Sequence, residues 1–233
     1  MIRKIFLIGI VTIIFIPTSF AQMYRNENMT TKPYANANLR LEQNVTDGDV
    51  EIVFEIKGND KGLNSLSVVS PDGRTVFHFT APDNTTLGIR QFHLESPEPK
   101  DIESIKTAYP EGVYKFTGLD AEGTKYYGEA ILNHTLPETV SILKPSTGIL
   151  NADISNLEIS WTAVADVRAY VLEIDQDELE IKITAELPST ITKFILPEGV
   201  LKAGFEYALS IGTIAKNNNR SFIETTFTTA VGE

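Results

Sequence analysis

Leu157-Glu158-Ile159-Ser160-Trp161 is the clearest extended segment of this chain, because its apolar and polar side chains alternate strictly. Successive side chains of a β-strand point to opposite faces, so the three apolar residues are expected to share a buried face. Six more short segments with a β pattern lie between residues 140 and 228, and no helical period of about ten residues separates them. Seven strands at this spacing predict an antiparallel sandwich rather than a parallel α/β sheet.

A second group of β segments lies upstream of this one. Residues 49–57 alternate in the same way, and Ser70-Pro71-Asp72-Gly73 separates two further extended runs. In that turn Pro fixes one backbone dihedral and Gly supplies a positive one, which predicts a hairpin. Leu136-Pro137 then forms a stiff joint between the two groups. The sequence therefore predicts an all-β chain of two tandem antiparallel β-sandwiches.

Residues 137–229 share several features with one known family. Residues 157–161 match its second strand with a core Trp161, and Tyr170-Val171-Leu172-Glu173-Ile174 matches its third strand. Leu201 stands six residues before Tyr207, the arrangement of a tyrosine corner, in which the phenol hydroxyl bonds the backbone. On these residues the segment resembles a fibronectin type III domain. The resemblance implies core positions for Trp161, Tyr170, Leu201 and Tyr207.

The first group of strands resembles a more general class of module. Pro110-Glu111-Gly112-Val113-Tyr114-Lys115-Phe116 and the turn at residues 71–73 are similar to segments of exported immunoglobulin-like sandwiches. The order of the two modules resembles that of exported bacterial proteins, which implies binding or scaffolding by analogy with the fold. The predicted division is a signal peptide over 1–21, a polar leader over 22–40, an immunoglobulin-like sandwich over 41–135 and a fibronectin type III-like domain over 136–233.

Export is predicted from the first residues. Arg3 and Lys4 precede a twelve-residue apolar run from Ile5 to Ile16, and Ser19-Phe20-Ala21 provides small residues for cleavage after Ala21. A membrane span needs about 20 apolar residues, so this run is too short to be one. Removing residues 1–21 changes the net charge from −11 to −13. We expect a soluble periplasmic or secreted protein with no membrane insertion of the mature chain.

Composition excludes several classes of function. The chain has 233 residues, with 20 basic against 31 acidic side chains and no Cys. Such an acidic surface argues against binding of nucleic acid. Without Cys there is no disulfide, thiolate nucleophile or Cys-based zinc site.

No catalytic or cofactor motif is found, so we expect no enzyme activity and no cofactor. His78, His93 and His134 are the three histidines, and none has the spacing of a compact metal site. Two alternatives remain for His78 and His93: they form a zinc site across two strands, or they are ordinary histidines that face solvent. The acidic turn at residues 175–180 either binds calcium or is simply solvated. A calcium site needs six to eight converging oxygens.

Binding is the function that remains, and the leading hypothesis is a non-catalytic exported module for protein–protein interaction or assembly. Its recognition surfaces would be sheet edges and the loops near Asp166, 216–220 and 120–123. The alternative is a carbohydrate-recognition module or an accessory subunit of a polysaccharide-degrading system. Tyr126 and Tyr127 are the candidates for stacking on a sugar, because consecutive strand residues face opposite ways and one ring could lie outside. Self-association stays open.

Overall fold

The structure is a computed structural model that describes residues 31–81 and 88–231, so the predicted signal peptide lies outside the described residues. The described part is built almost entirely of strands, with one short helix. Its elements are β1 (Thr31–Pro33), β2 (Asn36–Asn44), β3 (Asp49–Lys57), β4 (Leu63–Val69), β5 (Thr75–Thr80), β6 (Gln91–Glu95), α1 (Ile102–Ala108), β7 (Gly112–Asp120), β8 (Lys125–Leu132), β9 (Ile142–Lys144), β10 (Glu158–Trp161), β11 (Val167–Gln176), β12 (Ile181–Pro188), β13 (Lys193–Ile195), β14 (Glu206–Ala215) and β15 (Arg220–Thr228).

These strands form three sheets. One sheet has the order β1-β8-β7-β4-β5, a second has the order β13-β10-β9, and the third has the order β12-β11-β14-β15-β2-β3-β6. All pairs are antiparallel except β1 with β8 and β15 with β2. The predicted all-β sandwich fold is confirmed.

Two clusters of buried apolar side chains lie between these sheets. The first is formed by the five-stranded sheet, α1 and the half of the seven-stranded sheet that contains β2 and β3. The second is formed by the three-stranded sheet and the other half, from β12 to β15. Because alternate residues of each strand enter a core, the opposite face of the seven-stranded sheet carries polar side chains together with a small apolar cluster of Ala169, Val171, Ile214 and Phe222.

The four residues to which the family resemblance gives core positions are buried in the structure. The Tyr207 hydroxyl accepts a hydrogen bond of 2.7 Å from the backbone N–H of Lys202, which closes the tyrosine corner. Trp161 and Tyr170 are both buried, and their rings meet edge to face at 5.6 Å between centroids. Leu201 is buried in the same cluster. The part of the chain from β9 to β15 therefore has a fibronectin type III-like fold.

The structure differs from the sequence prediction in the segment 22–40. Strands β1 and β2 already begin at Thr31 and Asn36, where a polar leader was expected. Leu39 and Leu41 are buried in the first core, but they are the only large apolar residues of β2, too few for a recognisable period. The helix α1 was also missed, although Asp101 caps it by accepting from the backbone N–H of Glu103 at 3.0 Å. No helix within residues 31–81 and 88–231 is long and apolar enough to cross a membrane.

Candidate functional site

The two halves of the seven-stranded sheet meet where β15 lies parallel to β2. Residues 220–222 pair there with residues 42–44. The backbone N–H of Val45 extends this pairing by donating to the carbonyl of Phe222 at 2.9 Å. Thr46 adds a side-chain bond, its hydroxyl accepting from the N–H of Glu224 at 2.8 Å. The outer face of the sheet is therefore continuous across this seam.

An acidic groove of about 530 Å³ crosses the seam on that outer face. Nine carboxylates line it, against Arg40, Lys182, Arg220 and one histidine, His93. This excess of negative charge in a concave surface attracts a cationic ligand and repels an anionic one. The nine carboxylates are those of Glu42, Asp47, Asp49, Glu51, Glu55, Glu95, Glu98, Glu173 and Glu224.

Two arginines line the groove, Arg40 on β2 and Arg220 on β15, one on each side of the seam. Arg40 is only 3% exposed, pairs with Glu42, and places its Nη1 at 3.0 Å from Oε2 of Glu55. Arg220 places its Nη1 at 3.5 Å from the same Glu42. Burial and the charge of Arg40 lower the pKa of Arg220. Glu42 and Glu55 therefore balance buried cations of the chain itself, while the other carboxylates of the groove are more available to a ligand.

Glu51 is the most perturbed carboxyl of the groove. Burial first, and then the charges of Glu42, Glu95 and Glu98, raise its pKa to about 7, with Arg40 acting in the opposite direction. Glu42 stands directly opposite Glu51 on the neighbouring strand, and like charges at such a position repel. A cation bound in the groove would relieve this repulsion.

The floor of the groove lies on β14. Ser210 stands there between Glu173 of β11 and Glu224 of β15, each of which is its direct cross-strand neighbour. The next outward residue, Gly212, leaves room for the ring of Phe222, since a Cβ at that position would lie 2.6 Å from the ring. The ring thus forms an apolar wall beside the three polar residues.

A second concave surface lies on the outer face of the five-stranded sheet. This hydroxyl-lined hollow measures about 500 Å³, and small residues form its floor between the taller side chains of His78, Leu119 and Tyr127. Tyr127 is 39% exposed, so one face of its ring can receive a ligand. The floor consists of Ser65, Ser67, Thr117 and Gly118.

Tyr126 is not a stacking candidate, which corrects the sequence prediction. Its ring points to the opposite face of β8, is 3% exposed, and packs on Tyr34 at 5.6 Å between centroids. Its hydroxyl donates to Asp120 at 3.3 Å and also contacts Asn59. The alternation of the strand leaves Tyr127 alone on the outer face.

The histidines do not converge on a metal site. His78 lies on β5 and His93 on β6, and these strands belong to different sheets. His93 contacts Glu95 at 2.7 Å, whereas the Nε2 of His134 lies 2.8 Å from the carbonyl oxygen of Tyr109. Within the described ranges no group of three or more His, Asp or Glu side chains could hold a metal ion, which includes the acidic turn at residues 175–180.

The three predicted recognition loops differ in how much of each is held by contacts within the chain. The turn at residues 216–220 is anchored at Asn219, which is 1% exposed and bonded to the segment that links the two cores, while Lys216 of the same turn is exposed. Asp120 folds its own turn by accepting from the N–H groups of Glu122 and Thr124, both at 2.9 Å. Asp166 is exposed and lies 3.5 Å from the ammonium of Lys216.

Comparison with known proteins adds little to this description. No family model and no curated protein matches the chain. Among solved structures, the chain is similar to a two-domain fibronectin type III segment from chicken tenascin, with 14% identity, a TM-score of 0.31, and 83% of this chain and 100% of the other covered. It is also similar to the fibronectin(III)-like modules of Clostridium thermocellum CbhA, with 10% identity, a TM-score of 0.34, and coverage of 83% and 94%. The fold assignment rests on the strand order and tyrosine corner described above.

Sequence reasoning missed the groove. Glu51 and Glu55 were recognisable as the polar face of a strand, but the same pattern is typical of any solvated sheet face. The burial of Arg40 and the position of Ser210 between two glutamates depend on pairing between strands far apart in the chain.

Proposed function

We propose that this protein is an exported, non-catalytic binding module that holds a basic segment of another protein in the acidic groove. The observation that carries the proposal is the set of nine carboxylates around a cavity of about 530 Å³. The proposal keeps the two predicted units, residues 41–135 and 136–233, with β1 and β2 added to the first. Export is supported by the sequence of residues 1–21.

Preorganisation supports this function. The groove spans both halves of one sheet, and its seam is fixed by backbone pairing and by the buried amide of Asn219. A rigid binding surface loses little conformational entropy when a partner arrives, so more of the contact energy appears as affinity. Charge of one sign also raises the association rate with a basic partner and makes binding sensitive to salt.

The test is capture with a charge-neutralised groove. We would immobilise the chain lacking residues 1–21, capture proteins from the envelope and supernatant of the source, and repeat this with the triple variant Glu51→Gln, Glu95→Gln, Glu98→Gln. The matched control is Glu103→Gln, Glu122→Gln, Glu198→Gln, three exposed carboxylates outside the groove. We expect a basic partner that the groove variant loses and the control keeps. Capture that both variants retain equally would refute the groove as the binding surface.

A glycan in the hydroxyl-lined hollow is the second candidate. The exposed ring of Tyr127 beside a floor of Ser and Thr residues favours it, since sugars combine an apolar face with hydroxyl groups. A glycan array would compare the wild type with Tyr127→Ala and with Ile131→Ala, an exposed residue on the same strand outside the hollow. A signal lost only in Tyr127→Ala would support the hollow, and an array without signal would exclude it.

A further inference from the structure

We propose that the floor of the acidic groove is a recognition site for a lysine side chain, whose ammonium is held by Glu173, Ser210 and Glu224. This inference rests on the proposed function and names the chemical group that the groove selects. The site is formed by three adjacent strands of the second half of the seven-stranded sheet, β11, β14 and β15.

Strand register places the three residues in one row. Ser210 pairs with Glu173 on one side and with Glu224 on the other. Neighbouring strands lie about 4.8 Å apart, so the backbones of the two glutamates are about 10 Å apart, with the backbone of Ser210 midway between them. All three residues line the groove. Two carboxylates and a hydroxyl thus stand side by side on one face of the sheet, with the hydroxyl in the middle.

The hydroxyl of Ser210 is a buried polar group whose hydrogen-bonding capacity is unfilled by the described part of the chain. Ser210 is 8% exposed, and its Oγ has no hydrogen-bond partner among the described residues. Buried polar atoms in folded proteins are nearly always hydrogen-bonded, so an unpaired hydroxyl at the floor of a cavity is unusual. A ligand that donates a hydrogen bond to Ser210 would satisfy it.

An ammonium fits this set of acceptors better than a guanidinium. A lysine ammonium carries three donors on a compact head, one for each of the three acceptors. A guanidinium is planar and prefers two parallel bonds to a single carboxylate, so in that geometry it engages one glutamate of the row rather than all three acceptors. The aromatic ring of Phe222 beside the row can cover the apolar stem of a lysine.

Lys182, the lysine that lines the groove, does not occupy the site. Lys182 lines the same groove, but its ammonium lies 3.6 Å from Asp175, its cross-strand neighbour, and its side chain is 69% exposed. Burial raises the pKa of Glu173, with Lys182 and Arg220 acting in the opposite direction and Asp175 and Glu42 in the same one. A bound ammonium next to Glu173 would offset the desolvation of its carboxylate.

The experiment titrates the full protein with three peptides, pentalysine, pentaarginine and Nε-acetylated pentalysine, at about 150 mM salt, where the Debye length is about 8 Å. The variants are Ser210→Ala, Glu173→Gln and Glu224→Gln. Glu198→Gln serves as the control that removes one exposed charge elsewhere. Calorimetry gives the affinities, and thermal melts report whether each variant is folded.

We expect pentalysine to bind more tightly than pentaarginine and the acetylated peptide not to bind. Each floor variant should weaken pentalysine about tenfold or more, as expected for a lost hydrogen bond to a charged group, while the control stays within about twofold. Ser210→Ala should leave Tm unchanged or raise it, because an unpaired buried hydroxyl does not stabilise the fold. A lower Tm would show that Oγ already has a partner and would overturn the inference.

The outcomes separate this inference from the proposed function. If both peptides bind equally and Ser210→Ala changes neither, the lysine site is wrong. The acidic groove then still stands if Glu51→Gln, Glu95→Gln, Glu98→Gln weakens both peptides. If that triple variant binds both peptides as tightly as the wild type does, the proposed function is refuted together with the lysine site.

Discussion

Asn219 should be one of the most sensitive polar residues of the chain, although it lies in a turn. Its side-chain oxygen accepts from the backbone N–H of Leu41 at 2.9 Å. Its amide nitrogen donates to the carbonyls of Asn133 and Thr135 at 2.8 and 2.9 Å. One side chain, 1% exposed, therefore ties the β14–β15 turn both to β2 and to the segment that links the two cores.

The cost of Asn219→Ala follows from these three bonds. A typical hydrogen bond contributes about 1 kcal/mol net, so their loss costs about 3 kcal/mol. The N–H of Leu41 would also lie buried without a partner, which can add about 1 to 3 kcal/mol if no water enters the space left by the side chain. We expect Asn219→Ala to lower the free energy of unfolding by about 3 kcal/mol if water enters the space, and by about 4 to 6 kcal/mol if it does not.

Urea denaturation followed by circular dichroism measures this change in the free energy of unfolding. Hydrogen exchange of the Leu41 amide shows whether the backbone of β2 loses protection at the bond to Asn219. The control is Lys216→Ala in the same turn, whose side chain is 77% exposed and whose ammonium lies 3.5 Å from the exposed Asp166. We expect less than about 1 kcal/mol there. If Asn219→Ala costs less than about 1 kcal/mol and the Leu41 amide stays protected, the joint does not depend on Asn219.

Three other substitutions test the second core and the groove. Tyr207→Phe removes the hydroxyl that accepts from Lys202 and should cost about 1 to 3 kcal/mol in urea denaturation, so an unchanged midpoint would contradict the tyrosine corner. Trp161→Ala removes a side chain that is 2% exposed and should cost about 3 to 5 kcal/mol, seen as an earlier loss of the circular dichroism signal, whereas a near-wild-type melt would place Trp161 outside the core. Glu51→Gln should raise Tm at neutral pH. The folded-state pKa of Glu51, about 7, lies above the ordinary value of 4.5, so the wild type loses stability as pH rises through this window. The advantage of the variant should therefore be small near pH 4 and grow toward pH 8, and an advantage independent of pH would show that Glu51 does not titrate there.

Much of the fold was predictable because its signals are local. All seven strands predicted between residues 140 and 228 are present, since alternation and turn residues need only neighbours in sequence. The tyrosine corner was predictable for the same reason, because Leu201, Lys202 and Tyr207 belong to one short segment. Strand β2 was missed because Leu39 and Leu41 are its only large apolar residues, and the sequence also gives no sign that Arg40 is buried. Its charge is compensated by Glu42 and Glu55, and the latter lies on another strand.

The candidate site depends on contacts that a linear pattern does not record. The parallel pairing of β15 with β2 joins residues 220–222 to residues 42–44, about 180 positions earlier in the chain. That pairing makes one continuous sheet face and collects carboxylates from distant strands into the groove. By itself the sequence determined the strand content, the acidic charge and the core aromatics, because each follows from local pattern or composition. Only the tertiary structure decided which carboxylates meet, which tyrosine faces solvent and which serine lacks a partner, because strand register and sheet order set those distances.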